Sequence, residues 1–70
     1  MTKLPERLRL LRKERHMTQA ETAQAMEMVY NTYRRYETGE REPDASTLVR
    51  MADFYQVTLD YLVGRSEERS

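Results

Sequence analysis

The stretch Thr18–Tyr36, TQAETAQAMEMVYNTYRRY, constrains the fold of this 70-residue chain more than any other segment. Thr18 followed by Glu21 is a capping box, which fixes where a helix begins. Ala20, Ala23 and Ala25–Met26 give that helix a small-residue face, so a neighbouring helix can approach closely. Glu27-Met28-Val29 interrupts the pattern. A second helix then runs from about Tyr30 to Thr38, and Gly39 suits the left-handed position after its end. Tyr33 and Tyr36, three apart, face inward. Tyr30, Asn31, Thr32, Arg34 and Arg35 are left over the remaining surface, a polar face with no obvious intramolecular use. The stretch therefore predicts two short helices joined by a tight turn.

The rest of the chain supplies a frame for that pair. A first helix spans roughly Pro5 to Arg15, since proline costs nothing in a first helical turn. Leu4, Leu8, Leu11 and Arg15 share one face, with Leu10 beside it and Arg7, Arg9, Arg12 and Lys13 around it. His16 stands where the helix must stop, and histidine tolerates a left-handed conformation better than most residues. Glu40–Pro43 reads as a loop. Asp44 caps a helix over Ala45–Tyr55, with Leu48, Met51, Ala52 and Tyr55 as its buried stripe. Gln56-Val57 turns the chain, Thr58 caps a short helix over Leu59–Val63, and Gly64 ends it. Residues 65–70 are polar and expected to fray. Strand signals are weak throughout. The reading is one all-α domain over residues 1–70, with an ordered core over about 4–64 and no internal repeat or linker.

Composition removes several function classes. No cysteine is present, which excludes disulfides and thiolate metal sites, and one histidine builds no metal site unaided. No apolar run approaches the ~20 residues of a membrane span, and MTKLPERLRLL lacks the apolar core of a signal peptide. The expectation is a soluble, cytoplasmic protein. No nucleophile–base pair, metal cluster or phosphate loop is visible, so no catalytic residue, metal, cofactor or small-molecule substrate is expected, and neither is an enzyme.

The formal charge is zero, with 12 basic and 12 acidic side chains. Its distribution is uneven. Residues 1–41 hold nine Lys/Arg against six acids, a net +3, and residues 42–70 hold three against six, a net −3. A local basic face attracts phosphate even when the whole domain is neutral.

Three blocks, LRLLRKERHMTQAETA, RRYETGEREP and LVRMADFYQVTLDYLVG, stand in an order and spacing that resemble the Cro/CI-type (phage-repressor-like, XRE) helix-turn-helix family. The resemblance covers about Leu8 to Gly64. It implies a compact, lambda-repressor-like five-helix bundle whose third helix reads DNA, and a role in transcriptional control. It also implies that Arg12 and Glu37 form a partly buried ion pair tying the first helix to the end of the third. Five positions depart from the family pattern. Thr22 stands for Leu, Glu27 for Gly, Val29 for Ser or Thr, Tyr33 for a β-branched aliphatic, and His16 for Gly. Thr22 and Tyr33 offset one another in volume if they face each other, which cores tolerate best, with the tyrosine hydroxyl then meeting Thr22 or solvent. The departures fit either a divergent paralogue or a redesigned reading surface.

The third helix would enter the major groove of double-stranded DNA, with Tyr30, Asn31, Thr32 and Arg35 at base edges. Asn31 suits adenine and Arg35 suits guanine, each pair worth ~1–3 kcal/mol of discrimination. Tyr30 offers a ring to a thymine methyl and a hydroxyl to base or phosphate. Thr18 and Gln19, at the start of the second helix, are the near phosphate contacts, and Gln19 can also brace Tyr30 or Asn31. Arg34 and Arg41 are the further phosphate contacts. The chain would bind as a monomer, or as a weak homodimer on a pseudo-palindrome through Leu59, Leu62 and Val63, and be nucleoid-associated when bound. The competing reading is a protein-interaction module, an antitoxin or adaptor, built on the same fold.

Overall fold

The computed structural model describes residues 2–70, and helices make up all the regular secondary structure among them. These are α1 (Leu4–Glu14), α2 (Gln19–Ala25), α3 (Tyr30–Thr38), α4 (Ala45–Tyr55) and α5 (Leu59–Val63). α1 begins and ends one residue before its expected limits, and the others match their local signals.

Side-chain caps explain most of the starts. Thr18 Oγ1 accepts from the Glu21 N–H at 3.0 Å, and Glu21 Oε1 accepts from the Thr18 N–H at 2.8 Å, which completes the capping box. Asp44 accepts from the Thr47 N–H at 2.9 Å, and Thr58 from the Tyr61 N–H at 3.0 Å. α3 has no such cap, because Val29 carries no acceptor. The stops are left-handed residues. Gly39 and Gly64 adopt them freely, but His16, Glu27 and Gln56 hold φ of 57°, 58° and 58°. A left-handed conformation costs ~1–2 kcal/mol in a residue with a Cβ, so packing on either side holds these three turns. Gly64 is required twice over, since a Cβ there would lie 2.7 Å from that of Lys3.

The core is drawn from every helix: Leu4, Leu8 and Leu11, then Ala23, then Tyr33 and Tyr36, then Met51, Ala52 and Tyr55, then Tyr61 and Leu62, with Met26 from the α2 C-terminus. α3 packs on α1 and α2, and α5 on α1 and α4. Some side chains lie elsewhere than the periodicity suggests. Ala20 and Ala25 are exposed, so only Ala23 serves the close approach of α2. Leu48 is half-buried. Arg15 is exposed, and its guanidinium lies over the Phe54 and Tyr55 rings at 5.1 and 5.3 Å. Leu62 is fully buried, which leaves Leu59 and part of Val63 as the apolar surface of α5.

The polar residues after Gly64 run back over the α1–α5 end. Arg7 is buried there. It lies 4.0 Å over the Tyr61 ring and donates to the carbonyls of Tyr61 and Ser66 at 2.8 and 3.2 Å, and to Glu67 at 3.1 Å. Arg69 forms a two-pronged pair with Glu14 at 2.7 and 2.8 Å, and its carbonyl accepts from the Thr58 N–H at 2.9 Å.

Candidate nucleic-acid interface

α3 is held from beneath by a buried carboxylate. Glu37 is 0% exposed, and an isolated charge there would be very costly. Arg12 answers it from α1, with Nε 2.7 Å from Oε2 and Nη2 3.2 Å from Oε1. Gln19 adds a third donor, its Nε2 lying 3.0 Å from Oε1. Burial works to raise the Glu37 pKa, but the hydrogen bonds from Arg12 and Gln19 outweigh it and hold the carboxyl below its ordinary value. The bond to Glu37 raises the Arg12 pKa in turn. Arg12 also donates to the Met17 carbonyl at 2.9 Å, so one guanidinium fixes α1, the approach to α2 and the end of α3. The ion pair implied by the resemblance is therefore present.

Tyr33 sits deeper than a surface tyrosine can. It is 0% exposed, and its hydroxyl lies 2.7 Å from that of Tyr55. Burial raises both phenols, Tyr33 far above its ordinary range, so both stay neutral at physiological pH. This corrects the expected partner: the hydroxyl meets α4 rather than Thr22 or solvent. Thr22 is also 0% exposed, and among the described residues its Oγ1 has no hydrogen-bond partner. A threonine at this buried position leaves a polar atom stranded, which costs ~1–3 kcal/mol.

With Tyr33, Tyr36 and Glu37 turned inward, the opposite face of α3 is left to solvent. Asn31 and Arg35 are exposed, Tyr30 is 46% exposed, and Thr32 is half-buried. The expected base contacts thus share the outer side and leading edge of one helix. Among the expected phosphate contacts, Thr18 is exposed at the start of α2. Gln19 reaches across to α3, where its Oε1 accepts from the Tyr30 hydroxyl at 3.5 Å. Arg34 is paired with Glu40 at 3.4 Å, an exposed pair of small worth that exchanges readily. Arg41 is exposed beyond the C-terminus of α3, its N–H donating to the Arg35 carbonyl at 3.3 Å.

Three residues escape sequence reasoning. Val29 is 70% exposed beside Tyr30, a bare apolar side chain at the leading edge of α3. Arg9 donates to the Glu37 carbonyl and Arg50 to the Met26 carbonyl, closing the C-terminal ends of α3 and α2. For Val29, exposure just before a polar helix was the available signal. For the two arginines none existed, because their acceptors are backbone atoms 28 and 24 residues away.

A helix capped at a boxed threonine, a left-handed turn, and a second helix with a buried carboxylate beneath and an open polar face above define a helix-turn-helix domain. Residues 8–62 match the family described as Helix-turn-helix, and the chain belongs to that family, of the Cro/CI type. It is similar to two Bacillus subtilis proteins, the uncharacterized HTH-type transcriptional regulator YqaE and the HTH-type transcriptional regulator ImmR. Identity to the first is 38%, over 91% of this chain and 56% of that protein. Identity to the second is 36%, over 91% of this chain and 50% of that protein. It is also similar to the cryptic phage CTXphi transcriptional repressor RstR of Vibrio cholerae, 38% identical over 90% of this chain and 56% of that one. The chain spans about half the length of the curated relatives it matches.

Proposed function

We propose that this domain is the DNA-reading part of a repressor-like transcriptional regulator, and that it binds double-stranded DNA in a sequence-specific manner with α3 in the major groove. The observation that carries the reading is the division of α3: Tyr33, Tyr36 and Glu37 are buried, while Asn31, Arg35 and nearly half of Tyr30 are left outward. The names of the relatives, regulators and a repressor, support it. An α-helix with its side chains is roughly 10–12 Å across, which suits a groove about 12 Å wide.

Tyr30, Asn31, Thr32 and Arg35 face the bases in this arrangement. Thr18, Gln19, Arg34 and Arg41 flank them on phosphates at the two ends of the helix pair. The longest extent of the molecule is 27 Å, less than the ~34 Å that separates half-sites one turn apart. One copy therefore covers one half-site, and a palindrome calls for two. The regulator would act in the cytoplasm, on the nucleoid when bound.

Substitution separates reading from clamping. On a duplex that the protein selects, Arg35→Ala should relax preference at one base position and cost ~1–3 kcal/mol there. Arg41→Ala should weaken all sequences alike and reduce the salt dependence by about one phosphate. Equal effects of Arg35→Ala on every sequence would remove Arg35 from the bases.

A further inference from the structure

We propose that the line Arg12–Glu37–Gln19–Tyr30 sets the hydrogen-bond direction of the reading face, so that the Tyr30 hydroxyl meets DNA as an acceptor and selects an exocyclic amino group, adenine N6 or cytosine N4, in the major groove. The inference rests on the assignment of α3 as the reading helix and adds the chemistry of one position.

Glu37 is buried against the Arg12 guanidinium, with contacts of 2.7 and 3.2 Å. A carboxylate so paired is ionised and can only accept. Gln19 lies 3.0 Å from Glu37 Oε1 and must present its amide nitrogen there, since its carbonyl oxygen would face another acceptor. The orientation of this amide is therefore dictated, although the two ends of a glutamine side chain are nearly alike in shape. Its Oε1 is turned toward the surface. The Tyr30 hydroxyl lies 3.5 Å from that oxygen, the outer limit of a hydrogen bond, and toward an acceptor a hydroxyl can only donate. A phenol has one proton. Once that proton is directed at Gln19, the hydroxyl offers lone pairs alone to whatever enters from solvent.

In the major groove, adenine N6 and cytosine N4 are donors, whereas guanine O6 and N7 and thymine O4 are acceptors. Phosphate oxygens are acceptors too. Tyr30 so oriented is matched to the two amino groups and mismatched to guanine, thymine oxygen and the backbone. Gln19 acts here as a positioning residue. Its second amide N–H stays available to a phosphate, so the two roles coexist.

The test uses the whole 70-residue chain and duplexes enriched from a random library. At each enriched adenine, purine replaces the base to delete the N6 amino group, and 7-deazaadenine deletes N7 instead. At each enriched cytosine, pyrimidin-2-one deletes the N4 amino group. Each duplex is titrated with the native protein and with Tyr30→Phe, whose ring remains. At one position, deleting the amino group should weaken native binding about tenfold, one hydrogen bond's worth, and should leave Tyr30→Phe indifferent. Comparing the two proteins cancels the weaker pairing of the analogue. Which base responds identifies the amino group. Gln19→Ala frees the phenol to donate, so enrichment at that position should move toward guanine or thymine.

Coupling of Tyr30 to N7, or a Tyr30→Phe loss equal on all sequences, would overturn the inference and leave α3 as the reading helix. No binding to any duplex at low salt would overturn both.

Discussion

Thr22 is where a single atom most clearly works against the fold. Its methyl and backbone belong to the packed interior, but its hydroxyl is buried without a partner among the described residues. Valine has nearly the same shape and no polar atom. Thr22→Val should therefore stabilise the domain by about 1 kcal/mol, raising Tm by roughly 4–8 °C for a chain of this size. Thermal unfolding followed by circular dichroism measures it, and a lower Tm would mean that the hydroxyl has a partner after all. Tyr33 shows where local pattern stops informing. Its inward placement could be read from the spacing to Tyr36. That the Tyr33 hydroxyl bonds Tyr55, 22 residues on, could not, because nothing in the local sequence marks either tyrosine as the other's partner.

Among the elements, α3 depends most on its neighbours. It lacks the N-cap that α2, α4 and α5 possess, a loss of ~1 kcal/mol. Its other end compensates, where Glu37 is gripped by Arg12 and Gln19 and its carbonyl by Arg9. Removing one side of such a buried pair costs ~3–5 kcal/mol, so Glu37→Ala should weaken DNA binding by unfolding α3 rather than by removing a contact. The pH dependence carries the same signature. The Glu37 pKa is lowered by folding, so its contribution is complete above the ordinary carboxylate value of ~4.3 and disappears as pH falls through the lower folded value. Tm should thus drop on acidification below about pH 4.5, and Glu37→Gln should flatten that drop. It should not abolish it, because Asp44, bonded to Thr47, and Glu14, bonded to Arg69, are lowered as well. An unchanged acid profile in Glu37→Gln would show that the carboxylate is not charged in the fold. Element boundaries were legible because caps and glycines are local signals: Thr18 with Glu21, Asp44, Thr58, Gly39 and Gly64 each mark a start or a stop. The grip on α3 was legible only in part. Arg12 and Glu37 came from the family resemblance, whereas Arg9 reaches a backbone oxygen that no residue type announces.

For the whole molecule, charge is the quantity that folding redistributes. The net +3 of residues 1–41 suggests a broad basic face. Folding withdraws several of those cations: Arg7 lies under the C-terminal residues, Arg12 on Glu37, and Arg9 on a carbonyl. Lys13, Arg15, Arg35 and Arg41 remain exposed, with Arg34 only loosely paired. Arg34, Arg35 and Arg41 lie on or just after α3, so the attraction to phosphate there is modest in size. With each neutralised phosphate contributing about −0.9 to the slope of log K against log salt, the two arginines placed on phosphates, Arg34 and Arg41, give a slope near −2. Specificity must then come from base contacts rather than charge. Titrating the protein against a random duplex library over a range of salt, and sequencing the bound fraction, tests this most directly. A shallow slope of about −2 to −4 is expected, together with an enriched motif a few base pairs long. Binding without an enriched motif, or no binding even at low salt, would contradict it.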